Sequence, residues 1–136
     1  MALNVYLYFD GDCKQAIDFY ANVFDVADED KRIMTYKDAP DFEGNPEDAD
    51  RVIHSEIKIN DMKILMSDVA KGTNLKHGNN FALLFNSKDE SQIRNAYSRL
   101  ADGGKVHLPL QESFFTALYA NLTDKFGTSW QLTLEK

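Results

Sequence analysis

The sequence predicts an α+β protein built from two successive βαβββ modules, and three observations carry that prediction. An apolar run rich in Tyr and Val leads into a segment of helical periodicity and then into strand-like runs. That order begins again halfway along the chain. The two helical segments also match at a constant offset, because Ile17 to Ile93 and Phe24 to Leu100 are equally far apart in the sequence. The repeat is one of pattern, with few identities between the halves. The 136 residues are thus expected to form a single domain made of modules 1–70 and 78–136, long enough to bury a core without disulfides or structural metal.

Residues 3–9 read as a strand buried on both faces, closed by the turn Asp10-Gly11-Asp12. Asp12 with Gln15 resembles a capping box, and Ala16, Ile17, Tyr20, Ala21 and Phe24 then recur at helical spacing. Strands are expected at 31–37, 51–59 and 62–67, the last two joined by Asn60-Asp61. In the second module a strand is expected at 80–85. Ser87 with Glu90 would cap a helix carrying Ile93, Ala96, Tyr97 and Leu100, and Gly103-Gly104 would close it. Strands at 105–108, 116–123 and 129–134 complete the module. Asp124 to Gly127 reads as a hairpin turn, with Gly127 supplying the unusual backbone angle and Asp124 a local hydrogen bond.

Acidic residues number 22 against 15 basic, a net charge of −7, which repels phosphate backbones and makes nucleic acid and anionic membranes poor partners. Cys13 is the only cysteine, so neither an intrachain disulfide nor a cysteine-rich zinc cluster can form, and a reducing cytoplasm fits. The apolar start lacks a basic flank and meets Asp10 too early for a signal peptide. No run approaches the roughly 18 apolar residues that span a bilayer. A soluble cytoplasmic protein is the expectation. Between Asp25 and Arg51 acids outnumber bases by six, and with Pro40, Gly44 and Pro46 the stretch 38–50 reads as a long exposed loop, either solubilising or a lid over a ligand.

The segment from Tyr6 to Cys13, followed by Ala16-Ile17-Asp18-Phe19-Tyr20 and Val23-Phe24, resembles the opening of the PhnB-like branch of the vicinal oxygen chelate superfamily, the glyoxalase, bleomycin-resistance and extradiol-dioxygenase group. Ile53-His54-Ser55-Glu56-Ile57, Leu65-Met66-Ser67-Asp68 and the run from Leu122 to Leu132 look like its later signatures, so the resemblance covers nearly the whole chain. It implies paired βαβββ modules forming curved mixed sheets around a cleft, usually in homodimers. Metal-dependent members of the superfamily hold a divalent ion with four His or Glu ligands. The resemblance puts those positions on Val5, Leu65 or Ser67, Asn80 and Gln131, none of them a strong ligand. No metal and no cofactor are therefore expected, and metal-dependent glyoxalase activity is not. Some relatives carry a methyltransferase label, but the chain has no Gly-rich strand-to-helix turn, so methyl transfer is not expected either. Where relatives often show a Trp-Gly pair and a basic residue, this chain reads Phe114-Phe115-Thr116-Ala117-Leu118.

Strand parity sorts the remaining candidates. Val52, His54, Glu56 and Lys58 oppose Ile53, Ile57 and Ile59; Ser129, Gln131 and Thr133 oppose Trp130, Leu132 and Leu134; Asn80 opposes Phe81, Leu83 and Phe85. The polar faces are expected to line one cleft. His54 and Glu56, two apart on one face, are the candidate acid–base pair. Tyr36, Ser67, Asp68, Asn80, Tyr119, Asn121 and Gln131 are the candidate ligand contacts, with turn formation an equal reading of Ser67 and Asp68. Cys13, His77 and His107 have no catalytic partners in sequence. The leading expectation is a homodimeric binding protein holding a small organic ligand, cationic or neutral, in a metal-free cleft. Rival readings are a lyase or isomerase using His54 and Glu56, with a metal held elsewhere, and a protein whose dimer surface is its function.

Overall fold

A strand with alternating apolar residues buries one face, and a helix with an apolar stripe supplies the cover for it. In the computed structural model, which describes residues 1–135, the chain does this twice, in the units Met1–Leu75 and Lys76–Lys136. The first unit contains β1 (Val5–Phe9), α1 (Cys13–Val23), β2 (Lys31–Thr35), β3 (Val52–Ile59) and β4 (Met62–Asp68). The second contains β5 (Leu83–Ser87), α2 (Glu90–Ala101), β6 (Lys105–Gln111), β7 (Leu118–Thr123) and β8 (Ser129–Leu134). The sheets run β1-β4-β3-β2 and β5-β8-β7-β6, each with one parallel pair, β1 with β4 and β5 with β8, and otherwise antiparallel. The duplicated βαβββ order is the predicted one.

Within the first unit α1 buries Ala16, Ile17, Tyr20, Ala21 and Val23 over β3 and β4, meeting Ile57, Ile64 and Met66 with Leu7 and Phe9 of β1. In the second, Ile93, Ala96 and Leu100 of α2 lie over Leu118, Ala120, Leu122, Leu132 and Leu134. Each such aliphatic side chain, fully withdrawn from water, contributes about 2 kcal/mol before entropy is counted. One helix covers one face, so each sheet keeps a face without a helix.

That single layer corrects the first strand. Residues 3–9 were expected to be buried on both faces, yet β1 starts at Val5 and alternates: Leu7 and Phe9 are buried while Tyr6 and Tyr8 are 37% and 55% exposed. Tyrosine is apolar enough to read as core and polar enough to stand in water. Val5 shares the parity of Leu7 and Phe9, so it belongs to the helix side. A second correction concerns β3. Its pairing with β2 steps from Met34↔His54 to Thr35↔Val52, leaving Ile53 as an extra residue, and this bulge breaks parity so that Val52 is fully buried instead of joining His54 and Glu56.

Strand ends also moved. The strand expected at 80–85 is β5, Leu83–Ser87, because its parallel register with β8 runs from Leu83↔Trp130 to Ser87↔Leu134; Asn80 lies in a bend ahead of it. The strand expected through Lys37 stops at Thr35, where the backbone N–H and Oγ1 of Thr35 both donate to Asp38 Oδ2 and start a 3₁₀ turn at Tyr36. The Asn60-Asp61 hairpin is as predicted, with Asn60 at φ 53°. So is the second turn: Gly127 sits at φ 90°, and Asp124 Oδ1 accepts from the N–H groups of Phe126 and Thr128.

Both predicted helix caps are replaced. Asp12 stands before α1 but makes no side-chain cap; instead Asp68, at the end of β4, accepts from the N–H of Gly11 (2.7 Å) and Cys13 (3.1 Å) through Oδ1, and from Val52 N–H (3.0 Å) through Oδ2. α2 is capped by Asp89, which accepts from Ser91 and Gln92, while Ser87 Oγ accepts from Asp89 N–H and donates to Gln92. Local spacing cannot reveal a cap supplied 55 residues downstream. Asp68→Ala orphans three backbone donors at a site only 3% exposed and is expected to lower stability by about 3 kcal/mol in urea unfolding, whereas removing the exposed cap with Asp38→Ala costs about 1 kcal/mol or less.

Candidate functional site

On the helix-free face of the first sheet the register lines up Tyr6, Leu65, Glu56 and Arg32 across all four strands. The neighbouring row carries Tyr8 beside Ser67 and His54 beside Met34. Tyr6 OH lies 3.3 Å from His54 Nδ1, with the rings 5.9 Å apart, and Tyr8 packs on Tyr6 at 5.1 Å. Glu56 is turned to cations instead, 3.7 Å from Arg32 Nε and 3.4 Å from Lys63 Nζ. His54 and Glu56 therefore share a face, as parity predicted, but each has its own partner. The phenol of Tyr6 holds the imidazole, and depending on the tautomer the proton lies on either side of that contact. Tyr6 escaped the sequence reading because it was counted as core; the signal was the placement of Tyr at alternate positions, 6 and 8.

Two of the other expected contacts, Asp68 and Tyr36, are engaged by the framework. Asp68 is buried and its carboxylate is taken by three N–H groups, two of them at the β1–α1 turn, where a nucleotide-like cofactor would need free donors. Ser67 is buried too. Tyr36 donates its hydroxyl to the Asp68 carbonyl at 3.2 Å and packs edge-on against Phe42 at 6.4 Å; burial and the nearby carboxylates of Asp48 and Asp68 raise its pKa. Arg51 ties the acidic loop to this corner: it donates to Asp10 (2.8 Å) and to the Val69 carbonyl (2.6 Å) and lies 3.5 Å from Asp48. Lys71 holds Asp48 through its N–H and Glu47 through its ammonium, and Lys37 holds Asp50. Much of the loop's charge is thus compensated within its own unit.

The helix-free face of the second sheet is uncharged over most of its width. Leu84, Gln131, Asn121 and Leu108 form one row; Asn86, Thr133, Tyr119 and Gln111 form the next. Asn121 and Gln131 are direct cross-strand partners, and Asn121 Nδ2 donates to Tyr119 OH at 3.4 Å. A concavity of about 430 Å³ opens on this face, lined by Leu84, Asn86, Phe115, Thr116, Thr133 and Glu135. Of these six only Thr133 had been placed on a cleft-facing strand face from the sequence; Glu135 follows the last predicted strand, and Phe115 and Thr116 come from a loop and an ill-defined strand end. Asn80 is exposed, away from the strand on which it was expected. His107 Nε2 and Thr123 Oγ1 are 2.8 Å apart, and His77 packs against Gly127, so neither histidine meets another metal-type ligand.

A divalent ion does not fit these donors. Among the described residues no three His, Cys, Asp or Glu side chains converge, Val5 belongs to the helix side, Leu65 offers no donor, Ser67 is buried, and Gln131 offers a neutral amide beside another amide.

Two βαβββ units, each with a helix on one sheet face and polar and aromatic side chains on the other, define a member of the vicinal oxygen chelate superfamily. The fosfomycin resistance protein FosX of Mesorhizobium loti has this fold, with a TM-score of 0.61 at 14% identity, the alignment covering 100% of this chain and 92% of FosX. The family model described as 3-demethylubiquinone-9 3-methyltransferase matches residues 2–133, and the chain belongs to that PhnB-like family. It is similar to protein YjdN of Escherichia coli K12, 26% identical across 100% of this chain and 97% of YjdN. Two solved structures agree: protein PA1353 of Pseudomonas aeruginosa (TM-score 0.85, 23% identity, 98% of each chain) and the putative 3-demethylubiquinone-9 3-methyltransferase PhnB of Bacillus cereus (TM-score 0.78, 26% identity, 98% of this chain and 99% of that one).

Cys13 has no part in such a face. It is fully buried at the start of α1, and burial, helped by the neighbouring Asp68 carboxylate, pushes its thiol up to about 12 from 9.0. A pKa raised by folding adds stability that is whole below the unfolded value and disappears as pH climbs through the folded one. The wild type minus Cys13→Ala difference in unfolding free energy should therefore be constant below pH 8 and shrink between about pH 9 and 12. In the native protein a disulfide-exchange reagent at pH 8 should leave the thiol unlabelled, and labelling should appear on unfolding.

Proposed function

We propose that the chain is a small-molecule-binding member of its family that holds an organic ligand on the helix-free sheet faces without a divalent metal. The observation that carries this reading is the composition of those faces: beside the Glu56–Arg32 pair they carry aromatic and neutral polar side chains, Tyr6, Tyr8 and His54 on one sheet and Tyr119, Asn121 and Gln131 on the other, and among the described residues no three His, Cys, Asp or Glu side chains converge. Such mixtures suit organic ligands, which need apolar area and a few placed hydrogen bonds, and the 430 Å³ concavity falls in the range of known ligand sites. A homodimer in the cytoplasm fits the reading, and Phe81 and Phe114, large and freely exposed, are natural material for an interface.

A second reading, an isomerase or lyase, gains from the Tyr6–His54 contact, which replaces the expected His54–Glu56 pair as the place where a proton moves. The β1–α1 turn speaks against methyl transfer, since Asp68 already occupies its donors.

A thermal-shift screen of organic compounds, run with and without EDTA, tests the proposal. At least one stabilising compound is expected, with a shift that EDTA leaves unchanged and that His54→Ala or Gln131→Ala reduces. Stabilisation that vanishes with EDTA and returns with Ni²⁺ or Mn²⁺ overturns it. Should turnover be found, Tyr6→Phe lowers kcat about tenfold or more while KM changes little if Tyr6 assists proton transfer, and neither changes if it only packs.

A further inference from the structure

Three of the six carboxylates of the acidic loop 38–50, those of Glu47, Asp48 and Asp50, are already tied to Lys71, Arg51 and Lys37. The second sheet carries a carboxylate of a different kind. We propose that the pocket lined by Glu135 and Phe115 selects an organic cation, an ammonium or amidinium group carried on an apolar or aromatic body; this rests on the reading of the chain as a small-molecule binder.

Three features of the pocket lead there. Glu135 is a placed charge: its N–H continues the β5–β8 ladder by donating to the Ser87 carbonyl at 2.8 Å, and its Oε1 accepts from Asn86 Nδ2 at 2.5 Å. Among the described residues its second carboxylate oxygen has no hydrogen-bond partner and no lysine or arginine lines the pocket. The carboxylate therefore offers an acceptor and a charge that no described residue of the pocket lining offsets. Beside it stands an aromatic wall. Phe115 is 60% exposed and packs edge-on against Tyr119 at 5.1 Å and Phe114 at 5.3 Å, leaving ring surface open to the pocket, with Leu84 as a second apolar wall.

The wall is also held in place. Ser113 Oγ accepts from the N–H groups of Phe115 and Thr116, and Thr116 Oγ1 donates to the Leu134 carbonyl at 2.6 Å, so the loop is tied to β8 one residue before Glu135. A carboxylate and an exposed aromatic ring lining one pocket can attract a cation twice, by charge and by the ring quadrupole, and repel an anion for the same reasons. Neutral Asn86 and Thr133 complete the lining without altering that sign.

Isothermal titration of the full chain with 2-phenylethylamine, 2-phenylethanol and 3-phenylpropanoate, three probes of one shape and different charge, tests the inference. The amine is expected to bind and the carboxylate not to, with the alcohol weaker than the amine by about tenfold. Glu135→Gln keeps an amide oxygen for Asn86 and removes only the charge; it should weaken the amine about tenfold and leave the alcohol unchanged, at an unaltered unfolding midpoint. Phe115→Leu should weaken both. Equal binding of alcohol and amine, indifferent to Glu135→Gln, overturns the cation selectivity while the small-molecule reading stands. Failure of the amine to bind at all overturns the inference too, and the wider compound screen then decides the fate of the reading beneath it.

Discussion

A single carboxylate organises the first unit. Asp68 is buried at the end of β4 and accepts three backbone N–H groups, from the β1–α1 turn, from the first residue of α1 and from the start of β3. A buried charge is tolerable only when its lone pairs are used, and here they are used by donors that would themselves be orphaned without it. The arrangement welds a turn, a helix and a strand that are far apart in sequence. Arg51 reinforces the same corner by joining Asp10, the Val69 carbonyl and Asp48. The second unit uses the same device differently: buried Asp124 accepts from Phe126, Thr128 and the indole N–H of Trp130, fixing the β7–β8 turn to the core.

These framework carboxylates explain why the candidate site looks as it does. Acidic residues near the ends of strands are naturally read as chemistry, but the ones here that are buried are spent on backbone donors, and every buried side-chain nitrogen or oxygen among the described residues has a partner. Outside this framework lies the helix-free surface of each sheet, with Tyr6 and His54 in contact and Glu56 paired with Arg32 and Lys63 on one, and the Glu135 and Phe115 pocket on the other. On the proposed reading such a face recognises a ligand by shape, hydrogen bonding and charge. Among the described residues no three His, Cys, Asp or Glu side chains gather there to hold a divalent ion.

Where sequence reasoning worked, the signal was local and periodic. The two helices follow from Ile17, Tyr20 and Phe24 and from Ile93, Ala96 and Leu100; β7 and β8 follow from strict alternation, and the residues predicted to face away from the core, Tyr119, Asn121, Gln131 and Thr133, do so. It failed where pairing partners decide. The bulge at Ile53 turned Val52 to the core; the register with β8 moved β5 past Asn80; Glu56 found Arg32 and Lys63 rather than His54. A one-residue slip inverts a strand's faces, so such errors propagate directly into a list of site residues.

By itself the sequence determined the duplicated βαβββ order and most of the core, because the period of apolar residues is a property of the chain and burial rewards it wherever the partners lie. Tertiary structure alone decided which polar residues are framework and which are available. Whether Asp68 caps a helix or meets a ligand, and whether Glu135 keeps a free oxygen, depends on donors brought near it from distant strands, and no spacing along the chain encodes a distance in space.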